Sequence, residues 1–323
     1  MSAPHPPSPR RQRAEAVRAP AGKEPVPASR ARIHYLRRHW RGDLPLAVAV
    51  IASAALVWAA VQLVMFASRR FPITEYPHTS GALWLLEAAL LITGVVWWGA
   101  GVVRSAGKHV HDGGSTLVAA LTGAVGVGAF FWAGAYWWQS ARYVAPDVWA
   151  TLTDTASPAQ VQVERGPNGA PRLFVDGELE FGTTLAVRAA LDANPGVTTV
   201  RFESRGGRVA EGTALGRLLL DRNKDTLVLG ECSSACVTAF AGGARRAVAR
   251  AARLGLHSAG GNGVSAADLA AANRKSDTFM ANRGVDVRVL EEGAAVANSD
   301  IWFPPTSVLT ASGLATEVWD GTR

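Results

Sequence analysis

Residues 197–209 read Val-Thr-Thr-Val-Arg-Phe-Glu-Ser-Arg-Gly-Gly-Arg-Val. The β-branched and aromatic run over 197–203 spells a short strand, and the glycine pair after it a tight turn that opens a helix. That helix falls on 211–222, where Leu215, Leu218, Leu219 and Leu220 recur at helical spacing. A second strand over 226–229 runs into Gly230-Glu231-Cys232-Ser233-Ser234-Ala235-Cys236, whose small residues end the strand and open another helix. Working outward, 161–164 and 172–175 flank a Pro-Asn-Gly turn and predict a β-hairpin. Helical spacing returns over 181–194 and 266–283, and a strand end is expected within 248–256. Strand and helix alternating at this pitch predict an α/β layered domain with parallel pairing over 145–323. Roughly 180 residues suffice to bury a core of their own.

The N-terminal side has another character. Of 323 residues, 18% are charged and 48% hydrophobic, with eleven Trp against four Tyr. An average soluble domain carries about 25% charged residues, so the composition leans toward a membrane. Apolar runs at 44–67, 82–103 and 116–138 each reach the ~20 residues that cross a bilayer as a helix. Trp97, Trp98, Trp132, Tyr136, Trp137 and Trp138 stand toward the ends of their runs, where amphipathic rings favour the headgroup level. Glu87 is the one charge within the runs. It reads either as an ion or proton site or as a carboxylate reaching for the interface. Gly123, Gly126, Gly128 and Gly134 allow close helix packing in the third run.

Net charge is +7, but it is unevenly placed. Residues 1–42 hold ten Lys/Arg against two Asp/Glu, a net +8, so the other 281 residues come to −1. A basic nucleic-acid groove is therefore not expected in the body of the chain. Seven of the seventeen prolines also fall in 1–42, and this segment is expected to be a disordered basic tail. The two loops between the runs nearly cancel in Lys/Arg, so the tail decides orientation and stays cytoplasmic. Three crossings then put the C-terminal domain outside, in a bacterium the periplasm or the exterior. The expected partner of the apolar runs is the lipid bilayer of the cell membrane.

Four segments of the α/β domain carry the chemistry: 203–209, 230–236, Leu254-Gly255-Leu256-His257, and Ser299-Asp300-Ile301-Trp302. A serine at a strand-to-helix turn exposes its Oγ, and a histidine can take its proton if a carboxylate fixes the tautomer. Ser234, His257 and Asp300 fit those roles. Gly206 or Gly207 with the N–H of Ala235 could form an oxyanion hole. Read alone, Ser234 is equally an N-cap, His257 a strand-end histidine and Asp300 a loop carboxylate. Cys232 and Cys236 flank the serine four residues apart and read either as a disulfide or as two buried thiols. Across one helical turn the bridge would lie near the upper limit of reach.

Ser204-Arg205-Gly206-Gly207, then Gly230-x-x-x-Ser234-Ala235, then His257 twenty-three residues beyond the serine, resembles the Clp protease proteolytic-subunit family of the crotonase-like superfold. More narrowly it is similar to membrane-anchored bacterial relatives, in which a Cys-x-Ser-Ala-Cys segment precedes Gly-x-x-Arg, here Gly243-Ala244-Arg245-Arg246. The resemblance spans about 175–320. It implies Ser234 as nucleophile, His257 as base, the glycine pair as oxyanion turn and Asp300 as the acid, thirteen residues before Gly313-Leu314. Arg205 stands where the family has a proline, and Asp277 or Asp286 could replace Asp300. A lysine base, as in signal-peptide peptidases, would have to be Lys224 or Lys275. The resemblance also implies a polypeptide substrate, a homo-oligomer and neither metal nor organic cofactor. The expected function is a membrane-anchored serine peptidase; the alternatives are a catalytically silent binding module and a transport component using Glu87.

Overall fold

The computed structural model describes residues 28–261 and 264–321. Helix α1 (Ala28–Arg41) comes first, then a π-helical turn (Val48–Ala52) leading into α2 (Ser53–Ser68), α3 (Pro77–His111) and α4 (Thr116–Leu152). Three segments are long and apolar enough to cross a membrane: Val48–Ser68, Pro77–His111 and Thr116–Gln139. Ile51, Trp58, Leu63 and Leu117 are each more than 60% exposed on these helices, a cost in water that hydrocarbon removes. Glu87 on α3 makes no hydrogen bond or ion pair with the described residues.

Two compact units divide the chain, one of residues up to 56 with 95–130, the other of 57–94 with 131 onward. In the first unit, the tail departs from the disorder expected of 1–42. Residues 1–27 lie outside the described residues, whereas 28–41 form α1. The reason is the apolar and aromatic content between its arginines. His39 is fully buried, with Nδ1 2.9 Å from Ser53 Oγ and Nε2 3.2 Å from the Trp98 carbonyl. Arg104 reaches back to the Trp40 carbonyl and lies over its ring.

In the second unit, Arg188 lies 3.8 Å from Glu75 in the turn between α2 and α3, so that turn is beside the α/β domain. The domain's sheet runs β1 (Gln160–Arg165), β2 (Pro171–Asp176), β3 (Thr199–Ser204), β4 (Asp225–Ser233), β5 (Arg246–Val248), β7 (Glu317–Val318), with β6 (Arg253–Gly255) also paired to β4. The expected hairpin is β1–β2, the antiparallel pair, and every other pairing is parallel. Helices α5 (Thr183–Ala193), α6 (Val209–Asp221), α7 (Ala235–Phe240) and α8 (Ala266–Asn282) join these strands, followed by α9 (Val287–Ala295) and α10 (Thr306–Ala311). Phe202, Leu215, Leu219, Phe240, Leu254 and Leu314 are fully buried in one core cluster. Three long apolar helices followed by an α/β domain, in the expected order, are the architecture observed.

Glu211 is the fully buried carboxylate of this core. It follows the glycine turn on α6 and faces the N-terminus of α5, where Oε1 accepts from Gly182 N at 3.2 Å and Oε2 from Thr184 N at 2.9 Å and from the Thr184 hydroxyl. These are donors a helix start leaves unpaired, and a negative charge there also meets the positive end of the helix. Burial nevertheless pushes the carboxyl above its ordinary range against the pull of those donors. Glu211→Ala strands three donors in the core, and at 1–3 kcal/mol per unsatisfied group a loss of about 3 kcal/mol or more is expected in denaturant melts. A loss below about 0.5 kcal/mol would contradict this account.

Candidate active site

The site is made by one strand changing partners. Over Thr226–Val228, β4 pairs with β5; over Glu231–Ser233 it pairs with β6. Between them the β3–β4 register slips, Phe202 facing Val228 but Ser204 facing Cys232. The slip has a chemical cause. Glu203 Oε1 accepts the Glu231 N–H at 3.0 Å, so a carboxylate replaces a rung of the ladder. Gly230 leaves the space, since a Cβ there would stand 2.3 Å from Glu203 Oε2.

Beyond the slip, β4 ends at Ser233 and Ser234 takes φ +56°, ψ −126° before α7 starts at Ala235. A non-glycine residue here is strained by the order of 1–3 kcal/mol and persists only where its surroundings over-determine it. They do so on two sides. Ser234 N donates to Gly255 O at 2.8 Å, and a Cβ on Gly206 would lie 2.7 Å from Ser234 Cβ and 2.9 Å from Ser233 O. Parallel pairing of Ser233 with Gly255 then carries His257, two residues further on, to the same C-terminal edge of the sheet. That edge is where α/β sheets bind ligands. Ser234, Ala235 and His257 line one cavity there.

Gly206 and Gly207 have φ of +110° and +132°. Gly206 O accepts from Leu179 N at 2.6 Å and Leu179 O from Arg208 N at 3.0 Å, a bridge so close that Gly207 could carry no side chain. Gly206 N bonds to Ser204 Oγ at 3.2 Å. Among the described residues, the backbone N–H groups of Gly207 and Ala235 have no acceptor.

His257 Nδ1 lies 2.9 Å from Ser258 O. A carbonyl only accepts, so Nδ1 is the donor in this contact, and in the neutral ring Nε2 is then the acceptor nitrogen. Asn298 Nδ2 donates to the same carbonyl at 3.2 Å and lies 3.2 Å from Nδ1. Asp300, expected in that position, is exposed in a turn where its N–H bonds to Ala297 O, and its carboxylate makes no hydrogen bond to His257. The segment does reach the histidine, through the Leu256–Trp302 bridge, but it presents Asn298 rather than Asp300. Asp286 caps α9 and pairs with Arg288. Lys224 donates to Val197 O at 2.7 Å, and Lys275 is exposed on α8; neither lines the cavity. Asp277 does line it, and burial pushes its carboxyl above the ordinary range.

Cys232 and Cys236 are disulfide-bonded with both residues fully buried. Cys232 belongs to β4 and Cys236 to α7, so the bridge spans the elbow rather than a helical turn. The Cα separation is accordingly 5.3 Å, within the ordinary range. Beside the glycine pair, Arg208 donates to Glu180 Oε2 at 3.0 Å and lies 2.7 Å from Asp147 Oδ1 on α4. Burial pushes the Asp147 carboxyl up while Arg208 pulls it down. Sequence reading missed Ser258, Asn298 and the Arg208–Asp147 pair, since no spacing rule marks a backbone carbonyl or an arginine 61 residues from its partner.

No family model matches the chain, and no curated protein matches it. Solved structures that it is similar to include ClpP1 of Listeria monocytogenes, at 14% identity and a TM-score of 0.40, covering 47% of this chain and 94% of that one. A point mutant of the same protein gives 15% identity, a TM-score of 0.40 and the same coverage. The ClpP protease catalytic domain of Plasmodium falciparum gives 15% identity and a TM-score of 0.38, covering 46% of this chain and 83% of that one. At these values the roles of individual residues rest on the geometry above.

Gly206→Ala tests the elbow's packing. Gly169 also has positive φ, +77°, but nothing lies within 4 Å of its would-be Cβ. Gly169→Ala should cost only backbone strain, about 1–2 kcal/mol. Gly206→Ala adds the collision with Ser234 and is expected to exceed it by about 1–3 kcal/mol in chemical denaturation. Equal losses would show that the turn yields freely.

Proposed function

We propose that the chain is a membrane-anchored serine hydrolase, a peptidase acting on polypeptides outside the cytoplasm. The observation that carries this reading is Ser234, held at a positive-φ elbow in one cavity with His257, whose Nε2 is left free to accept. Ser234 Oγ would attack a peptide carbonyl as its proton passes to His257 Nε2. The carbonyl oxygen becomes an oxyanion received by the Gly207 and Ala235 N–H groups. His257 then protonates the leaving amine as the C–N bond breaks, and water, activated by the same nitrogen, releases the acyl group. No step calls for a metal or an organic cofactor.

Ser258 O and Asn298 hold the imidazole in this reading, in the place the sequence gives to Asp300. Ser234→Ala and His257→Ala are each expected to cut peptidase turnover by on the order of 10⁴–10⁶, with fluorophosphonate labelling lost in Ser234→Ala. Asn298→Ala should cost about 10-fold and Asp300→Asn less than 3-fold, each hydrogen bond being worth about 1–1.5 kcal/mol. A 10³-fold loss in Asp300→Asn would restore the carboxylate to the triad. Well-folded protein that takes no label would make the domain a binding module.

Placement outside the cytoplasm with the N-terminus inside draws support from the basic tail and from the Cys232–Cys236 bridge, since disulfides persist in oxidising compartments. A C-terminal alkaline phosphatase fusion should be active and a β-galactosidase fusion inactive; the reverse pattern would overturn the orientation. Assembly into a homo-oligomer belongs to the proposal on the Clp resemblance alone.

A further inference from the structure

The cavity beside Ser234 and His257 has a volume of about 40 Å³, room for roughly three waters. Leu256, Met280 and Leu290 give it an apolar wall, and Thr238, Asn273, Ser276 and Asp277 a polar one. Three of the four polar side chains are already engaged. Thr238 Oγ1 and Ser276 Oγ lie 2.6 Å apart, and Asn273 Oδ1 accepts from Ala259 N at 2.7 Å. The Asp277 carboxyl is half-buried and makes no hydrogen bond or ion pair with the described residues. A carboxyl removed from water without a partner is costly, and a ligand bearing a donor relieves that cost. The volume limits what can bring the donor. Side chains of two to four heavy atoms fit, whereas Lys and Arg need five and seven.

We propose that this cavity receives a side chain flanking the scissile bond and selects short hydrogen-bond donors, Ser, Thr or Asn, with Asp277 as the acceptor. The assignment rests on the serine-peptidase reading above and names its substrate class. Met280 bounds the apolar side, so size is read by one wall and the donor by the other.

The test digests a reduced, unfolded protein with the full-length chain in detergent micelles and maps the new termini by mass spectrometry. Wild type is expected to cut beside Ser, Thr or Asn at least 10-fold more often than beside Ala, Val or Leu, after correction for their abundance. Asp277→Ala should collapse that ratio about 10-fold or more, the worth of a hydrogen bond to a charged group. Met280→Ala, which widens the apolar side and keeps the acceptor, should admit longer side chains such as Gln while the preference for donors remains. Each ratio is internal to one digest, so a partly unfolded variant cannot mimic the effect. A wild-type profile without bias toward short donors, or a ratio unmoved by Asp277→Ala, overturns the assignment and leaves the peptidase reading standing. Absence of both cutting and Ser234 labelling overturns that reading, and this assignment with it.

Discussion

A single backbone hydrogen bond, Ser234 N to Gly255 O at 2.8 Å, fixes the C-terminal edge of the sheet. It stitches the end of β4 to β6 at the residue where the chain must turn into α7 with φ positive. Without it the serine could relax into an ordinary helix-cap conformation and point elsewhere. The same contact sets how far β6 runs before releasing the chain, and therefore where the imidazole stands. Strain at Ser234 is the expected companion of such a constraint, because a positive-φ serine persists only where its surroundings over-determine it.

Several parts of the sequence contribute to that one geometry, each for its own reason. Glu203 diverts the β4 ladder, Gly230 makes room for its carboxylate, and Gly206 lets a second turn press against the serine. Arg246 works further out. Its guanidinium donates to the carbonyls of Leu314 and Gly313, closing the C-terminal segment around the end of β5. A buried cation satisfied by carbonyl oxygens needs no counter-ion on its own strand, which is why it can sit 5% exposed in a core otherwise apolar.

Much of the layout was legible from periodicity. The β1–β2 hairpin follows from Pro-Asn-Gly between alternating segments, α6 from its leucines, and the spans from length and want of charge. What stayed hidden depends on contacts distant in sequence. The slip in β4 needs Glu203 and Glu231 to meet across two strands, and α1 needs His39 to find Ser53 and Trp98. At the site, Ser234 and His257 stood out because serine and histidine advertise their chemistry. The group that orients His257 did not, since a backbone carbonyl leaves no trace in composition. The resemblance pointed to Asp300, whereas the segment bridged at Trp302 brings Asn298 rather than Asp300 to the imidazole.

Helix α4 continues past the apolar stretch that ends at Gln139, through Pro146, to Leu152. At 1.5 Å per residue those last thirteen residues form a strut of about 20 Å. Asp147, partway along it, is held by Arg208 directly after the glycine pair. A strut has no slack, unlike a glycine–serine tether, so adding or removing one residue between Gln139 and Asp147 would shift the Asp147 carboxylate by about 1.5 Å and turn it by about 100°, out of register with Arg208.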